Sequence, residues 1–350
     1  MPNLVQILER YREDYQQRYS SSITQAQDNA MAAILSCRSG RYGKMLLECQ
    51  HCDVQAEMNL SCGHRFCHRC QHHDTAVWLE RQSQKLLSCG YFLVTFTLPR
   101  QLRALALHNQ SRIFPMLFDC AVSTLRDFVS NDKSISAQAG MTAVLHTHSR
   151  RLNFHPHIHI VIPAGGLNKK RQCWVSHQKR FLFSQRNLAK VFRARFLSAM
   201  RESALPIPGG MPKKWVADCR HAGQGLPALK YLSRYLYRGV ISEDNVIADN
   251  GTHVTFKYRC SQTGSWKRRS LPGADFLRLL FRHVLPKGLR RVRDFGFLHG
   301  NAKITLQRIQ LILKVTPPPM VEVSRPTLIC KRCNQPMAIR DFFKPHPQTG

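Results

Sequence analysis

The chain has 350 residues, 43% of them hydrophobic, which excludes a disordered chain and allows two or three domains with real cores. Lys and Arg number 52 against 21 acidic residues, a formal charge of +31 that calls for a polyanionic partner. The basic residues are spread along the whole chain and no amphipathic Lys/Arg helix stands apart, so nucleic acid is expected and a membrane surface is not. No apolar run approaches 18 residues, and the first twenty are charged with no apolar h-region. Neither a transmembrane helix nor a signal peptide is therefore expected. In the reducing cytoplasm this implies, the 13 cysteines read as metal ligands or buried thiols rather than disulfides.

In chain order, residues 3–35 carry helical periodicity, with Leu4, Ile7, Leu8 and Tyr11 on one face. From Cys37 to His73, short apolar segments separate Cys and His clusters. A helix is predicted over Thr75–Leu87, with Trp78 and Leu79 buried and Arg81 and Lys85 solvated. Tyr91–Leu98 (YFLVTFTL) reads as a strand closed by Pro99. Residues 100–130 read as helical, with Leu102, Leu105, Ile113, Leu117, Val122 and Leu125 in the core.

Ala143–Thr147 and His155–Ile162 are predicted strands joined by the basic turn SRRLN, followed by a basic segment, KKRQCWVSHQKRF. Next come a helix over Leu188–Leu205, a proline-rich linker, a strand at Val216–Cys219 and a helix over Leu226–Arg238. His253–Arg259 and Ser265–Leu271 form a predicted hairpin around Gln262-Thr263-Gly264. Helices over 274–285 and 301–315 precede a tail that begins at Pro317–Pro319.

Three features carry chemistry. Cys49-Gln-His-Cys52 and Cys67-His-Arg-Cys70 stand fourteen residues apart, a spacing that suits one tetrahedral zinc site of four cysteines. Cys37, Cys62, His64 and His68 lie close enough to substitute, and Arg65 and Arg69 would face DNA phosphates. Cys330-Lys-Arg-Cys333 is half a site, either a zinc pair completed by a distant ligand such as His346 or a truncated ribbon.

The second feature is NFHPHIHIVIP, 153–163. His155, His157 and His159 recur every two residues on a predicted strand, so their imidazoles share one face and can begin a divalent-metal site. The competing reading is a half-buried strand with polar residues on its wet face. The third is KYLSRYLYR, 230–238, where Tyr231 and Tyr235 are one helical turn apart, with Arg234 and Arg238 as a basic stripe. Alone, such tyrosines are core or interface residues. Beside a histidine-rich strand and a large positive charge, a tyrosine oxygen can attack a phosphodiester and hold the broken strand.

Taken in order, the CxxC…CxxC module at 49–70, YFLVTFTLP at 91–99, HPHIH at 155–159, YLSRYLYRGVIS at 231–242 and the TFKYR and DFLRLLFRHVLPKG segments resemble a known family. This is the two-tyrosine HUH transposases of rolling-circle insertion sequences, the IS-ninety-one type. The resemblance implies an α+β fold, an HUH-nuclease-like central antiparallel sheet flanked by helices and preceded by a small zinc-binding module. It implies an N-terminal helix and zinc-binding DNA-contact domain over 1–88, a catalytic domain over 89–316 and a tail over 317–350 that holds the half zinc ribbon.

By the same resemblance, His157 and His159 would bind a catalytic Mg2+ or Mn2+. His146, with ten residues between it and His157, would be the third ligand, with His148 and His155 as substitutes. Structural Zn2+ would sit in the cysteine module. Tyr231 and Tyr235 would be the paired nucleophiles, and Tyr237, off their face, structural. The implied reaction is metal-dependent nicking and transfer of single-stranded DNA at insertion-sequence ends through 5′-phosphotyrosine intermediates, in a cytoplasmic, nucleoid-associated bacterial protein. Lys169, Lys170, Arg171, Lys267, Arg268, Arg269 and the Arg290–Arg293 run, with Trp174 and Trp266 nearby, suit phosphate contacts and base stacking on single strands. The alternatives are a plasmid replication initiator or relaxase with the same chemistry, and a non-catalytic zinc-dependent DNA-binding protein.

Overall fold

The computed structural model describes residues 2–70, 72–177, 182–224, 227, 229–230, 240–323 and 327–344. The chain opens with α1 (Leu4–Tyr19), α2 (Gln25–Leu35), the hairpin β1 (Lys44–Glu48) and β2 (Gln55–Asn59), and α3 (His72–Ser83). Then come β3 (Gly90–Thr97), α4 (Arg103–His108), α5 (Gln110–Asn131), β4 (Gly140–His148), β5 (Phe154–Pro163), β6 (Gly165–Asn168), β7 (Cys173–Ser176), α6 (Gln185–Glu202) and β8 (Val216–Gln224). The last elements are β9 (Val246–Asp249), β10 (His253–Arg259), β11 (Trp266–Pro272), α7 (Gly273–Phe281), β12 (Val292–Gly296), α8 (Lys303–Ile312) and β13 (Ala338–Phe343). No helix among the described residues is long and apolar enough to cross a membrane. Of the helix predicted over 226–238, only residues 227, 229 and 230 are described, and they are helical.

These elements form two compact units. One comprises Trp78–Leu236 and Leu285–Met320, the other Met1–Val77, Tyr237–Val284 and Val321–Gly350. The units interleave along the chain, whereas the expected division at 88 and 316 follows chain order. The reason is pairing between distant segments: β13 adds to β1, and α7 packs on α1.

The Trp78–Met320 unit is built on a five-stranded sheet of order β12-β4-β5-β3-β8, with every neighbour antiparallel. Alternation sorts its side chains onto two faces. Phe92, Val94 and Phe96 of β3, Ile158, Ile160 and Ile162 of β5, and Ala217 and Cys219 of β8 join one core with the apolar faces of α5 and α6. Phe96 meets Phe192 of α6 at 4.8 Å between ring centroids. Fully burying one such side chain is worth about 1.5–3 kcal/mol, so this face fixes the strand register. The other face carries His155, His157 and His159 beside Thr95 and Asp218.

A smaller cluster of Leu87, Leu167, Phe297, Leu298, Leu306 and Ile309 seats α8. Lys85, expected in solvent, instead pairs with Asp294 at 2.5 Å, while Thr142 donates to the same carboxylate at 2.7 Å. Gln82 donates to it at 3.0 Å. Trp78 and Leu79 are half-buried.

In the other unit, Leu4, Ile7, Leu8, Tyr11 and Tyr15 form the buried stripe of α1 and pack on α7, whose Phe276, Leu277 and Phe281 are also buried. The Tyr11 ring lies over Gly273, where a Cβ would come within 2.2 Å of it. The helical stretch 3–35 is broken after Tyr19, and Thr24 restarts it with a capping box to Gln27. Two three-stranded sheets, β13-β1-β2 and β11-β10-β9, complete this unit.

Candidate functional site

The histidines face away from the helix-covered core because Ile158 and Ile160, one residue out of phase, face into it. β4 runs beside β5 with His146 opposite His157, and β3 runs on its other side with Thr95 opposite His159. The metal-binding atoms of His146, His157 and His159 all lie within 4.8 Å of one another. Ring centroids are 4.5 Å apart for His146 and His159, 4.8 Å for His157 and His159, and 5.2 Å for His146 and His157. Among the described residues, His148 and His155 stand outside this group of three.

Hydrogen bonds aim the rings. His157 Nδ1 lies 2.6 Å from the His155 carbonyl oxygen. A carbonyl only accepts, so Nδ1 carries the proton and Nε2 keeps the lone pair a metal needs. His159 Nδ1 is 2.8 Å from Thr95 Oγ1, a bond that holds that ring in place. Burial lowers the proton affinity of all these imidazoles: His159 is pushed down to about 3, His155 to about 4, and His146 and His157 below the usual histidine value. Neighbouring positive groups add to the effect, Arg103 beside His155 and His157, Arg220 beside His159 and Arg291 near His146. The cluster is therefore three neutral nitrogen donors, ready to bind metal, in a field that favours anions.

Arg103 and Arg220 are functional candidates that no motif in the sequence marks, and Arg291, expected only as part of the basic Arg290–Arg293 run, joins them beside the histidines. They come from three separate elements, and only the strand register brings them to one place. Asp218 follows the same logic: it sits opposite Thr95 on β8, pairs with Arg220 and accepts from Gln185 Nε2 at 3.2 Å.

The cysteines form two groups rather than the single site expected. Cys67 and Cys70 join Cys37 and Cys62, whereas Cys49 and Cys52 join Cys330 and Cys333. The CxxC rule pairs knuckles by nearness in sequence, and here strand pairing decides otherwise. Sulfur separations are 3.5 and 3.6 Å in the first group and 3.3–3.6 Å in the second. Zn–S bonds of about 2.3 Å at tetrahedral angles would set sulfurs about 3.8 Å apart, so both groups have the size of a zinc cage. Hydrogen bonds from neighbouring thiols, Cys67 first, lower Cys62 to about 5. Cys330–Cys333 is thus completed by Cys49 and Cys52, and His346 lies outside the described residues.

Of the predicted DNA contacts, Lys169, Lys170 and Arg171 are exposed at the turn between β6 and β7. Lys267 and Arg268 are exposed on β11 and Arg269 is half-buried there, with Trp266 62% exposed and Lys257 5.6 Å from its ring. Arg65 is exposed and Arg69 half-buried. Trp174 is not available for base stacking: it is half-buried and packs edge-on against Phe297. Tyr231, Arg234, Tyr235, Tyr237 and Arg238 lie outside the described residues.

Residues 140–304 match the family model described as putative transposase, and residues 7–98 match the transposase zinc-binding domain. The putative transposase y4qJ of Sinorhizobium fredii is 31% identical over 326 residues, which cover 86% of this chain and 81% of that relative. The transposase for insertion sequence element IS801 of Pseudomonas savastanoi pv. phaseolicola is 28% identical over 255 residues, 68% of this chain and 61% of its own. Among solved structures, TrwC complexed with a 27-mer DNA comprising the recognition hairpin and the cleavage site aligns distantly. It has 13% identity and a TM-score of 0.28, over 65% of this chain and 75% of that one.

Proposed function

The chain belongs to the transposase family of IS-ninety-one-type insertion sequences, with its zinc-binding domain, and on that premise we propose that it nicks and transfers single-stranded DNA at the element's ends. The observation that supports this best is the trio His146, His157 and His159, three oriented neutral imidazoles beside Arg103, Arg220 and Arg291. In this reading the trio would hold a Mg2+ or Mn2+ ion. When bound, that ion would polarise the scissile phosphate and stabilise charge that develops on it.

The chain's own groups supply the rest. Thr95 and the His155 carbonyl hold two of the rings in place, so nothing has to reorganise when the phosphate arrives. The arginines draw in the phosphate and balance its charge. Tyr231 or Tyr235 would attack: its oxygen forms the bond to phosphorus as the bond to the 3′-oxygen breaks. The tyrosine proton is given up and the departing 3′-oxygen ends as a hydroxyl. The second tyrosine would repeat the exchange on the incoming strand, conserving the phosphodiester energy.

Lys169, Lys170, Arg171, Arg234, Arg238, Lys267, Arg268 and Arg269 would track the single strand, and Arg65 and Arg69 of the zinc module would contact flanking DNA. In domain terms, the Trp78–Met320 unit is the catalytic one and the zinc-bearing unit the DNA-contact one. The working place would be the bacterial cytoplasm, at the nucleoid.

The test is a denaturing-gel assay with single-stranded oligonucleotides spanning the element's ends and Mn2+ or Mg2+. We expect a protein–DNA adduct that survives denaturation and disappears with chelator or in the Tyr231→Phe/Tyr235→Phe double variant. Tight binding without adduct in either metal, or wild-type adduct in both single Phe variants, would overturn the proposal.

A further inference from the structure

The zinc-binding family match ends at residue 98, yet one of the two cysteine groups draws half its members from beyond residue 329. Within 7–98, Cys37, Cys62, Cys67 and Cys70 make a complete quartet. Cys49 and Cys52 are left over, and Cys330 and Cys333 complete them.

The two halves of this second group are built alike. The Cys49 amide donates to the Val54 carbonyl at 2.9 Å and the Asp53 amide to the Cys49 carbonyl at 2.9 Å. The Cys330 amide donates to the Gln335 carbonyl at 2.8 Å and the Asn334 amide to the Cys330 carbonyl at 2.9 Å, the same two bonds at the same offsets. Asp53 and Asn334, each directly after the second cysteine, both adopt the left-handed conformation, with φ of 54° and 60°.

The two turns meet face to face with their sulfurs 3.3–3.6 Å apart, the size of a four-thiolate cage around one ion. Four free thiols need none of this. Strand pairing delivers the halves: β13 runs antiparallel to β1, with Glu48 opposite Ala338 and Arg340 donating to Glu48 at 2.8 Å. Leu47 and Met337 are buried beside Cys49 and Cys330. Lys331 and Arg332, inside the second knuckle, offset the net negative charge of a divalent ion held by four thiolates.

We infer that the chain binds a second zinc ion through Cys49, Cys52, Cys330 and Cys333, and that this ion clasps residues 328–343 onto the β1–β2 hairpin. The site is tetrahedral, all-sulfur and closed, with no open position for substrate, so its role is structural. It does not depend on the strand-transfer chemistry proposed above.

The test counts thiolate-bound metal in the full chain. Co2+-substituted protein shows sulfur-to-cobalt charge-transfer absorbance, to which the histidine trio contributes nothing. That absorbance should fall by half in Cys330→Ser/Cys333→Ser and equally in Cys49→Ser/Cys52→Ser, and no further when the two pairs are combined. Zinc content should fall by one ion per chain in each case. Unchanged absorbance in the Cys330/Cys333 variant, or an additional loss on combining the pairs, would overturn the shared site. Alkylation of the zinc-loaded wild type provides a second reading that no misfolded variant can confuse. Cys330 and Cys333 should resist iodoacetamide until a chelator is added, and labelling before chelation would refute the clasp.

Discussion

Replacing Thr95 with Val removes the hydroxyl bonded to one ring of the proposed metal site. The hydroxyl's partner is His159 Nδ1, 2.8 Å away across the β3–β5 pair. Valine keeps the β-branched shape that a half-buried strand position favours, so the fold should survive. His159 would lose the bond that holds its ring angle, and losses of this kind cost about 10–100-fold in metal affinity, or about 1.4–2.7 kcal/mol. Thr97→Val is the control: Thr97 lies opposite His157, whose ring is held by a backbone carbonyl that no side-chain change removes. The assay is a Mn2+ titration of zinc-loaded protein, with free Mn2+ followed by its paramagnetic resonance signal. Thr95→Val should weaken binding by at least tenfold and Thr97→Val should not. Equal affinity in wild type and Thr95→Val would refute the reasoning that this hydroxyl orients a ligand.

Gly296→Ala should destabilise the Trp78–Met320 unit by about 2 kcal/mol or more, because φ is +61° there and a Cβ would fall 1.8 Å from the Ala139 carbonyl oxygen. An unchanged urea midpoint would contradict this. In metal-free protein the buried histidines take up protons only well below the ordinary histidine range, so the unfolded state binds more protons between about pH 6.5 and 4. Stability of the metal-free protein should therefore fall as pH drops through that window, and a urea midpoint that holds constant or rises would contradict it. The Lys267→Ala/Arg268→Ala/Arg269→Ala variant should lower the salt slope of single-strand binding by about 2, since each phosphate that a cation neutralises on a single strand adds about 0.7. Trp266→Ala should weaken binding at every salt concentration, because stacking is not a counterion effect. An unchanged slope in the triple variant would place the DNA elsewhere.

The central strands were legible because their chemistry matches their period. HIHI, 157–160, alternates histidine with isoleucine, and the register that buries Ile158 and Ile160 necessarily turns His157 and His159 to the opposite face. His146, taken from family spacing, falls opposite His157. By contrast, β1 (KMLLE), β2 (QAEMN) and β13 (AIRDFF) are short and almost free of β-branched residues, so propensity does not mark them. Since β13 was invisible, so was the partner of Cys49 and Cys52: sequence proximity joined two pairs that strand pairing separates. Arg103 and Arg220 were hidden for a related reason, since no local pattern reports which distant residues a sheet brings side by side; Arg291 was legible only as one member of a basic run.

The pairing of β13 with β1 also has a consequence for the ribosome. Cys52 and Cys330 are 278 positions apart, so at about 5–20 residues per second the first knuckle waits about 14–56 s for the second. The Trp78–Met320 unit, finished at residue 320, is fully synthesised before Cys330 has been added. The unit that begins the chain is thus the last to close. Until then β1 is paired only with β2, and its other edge is open to any strand that reaches it first.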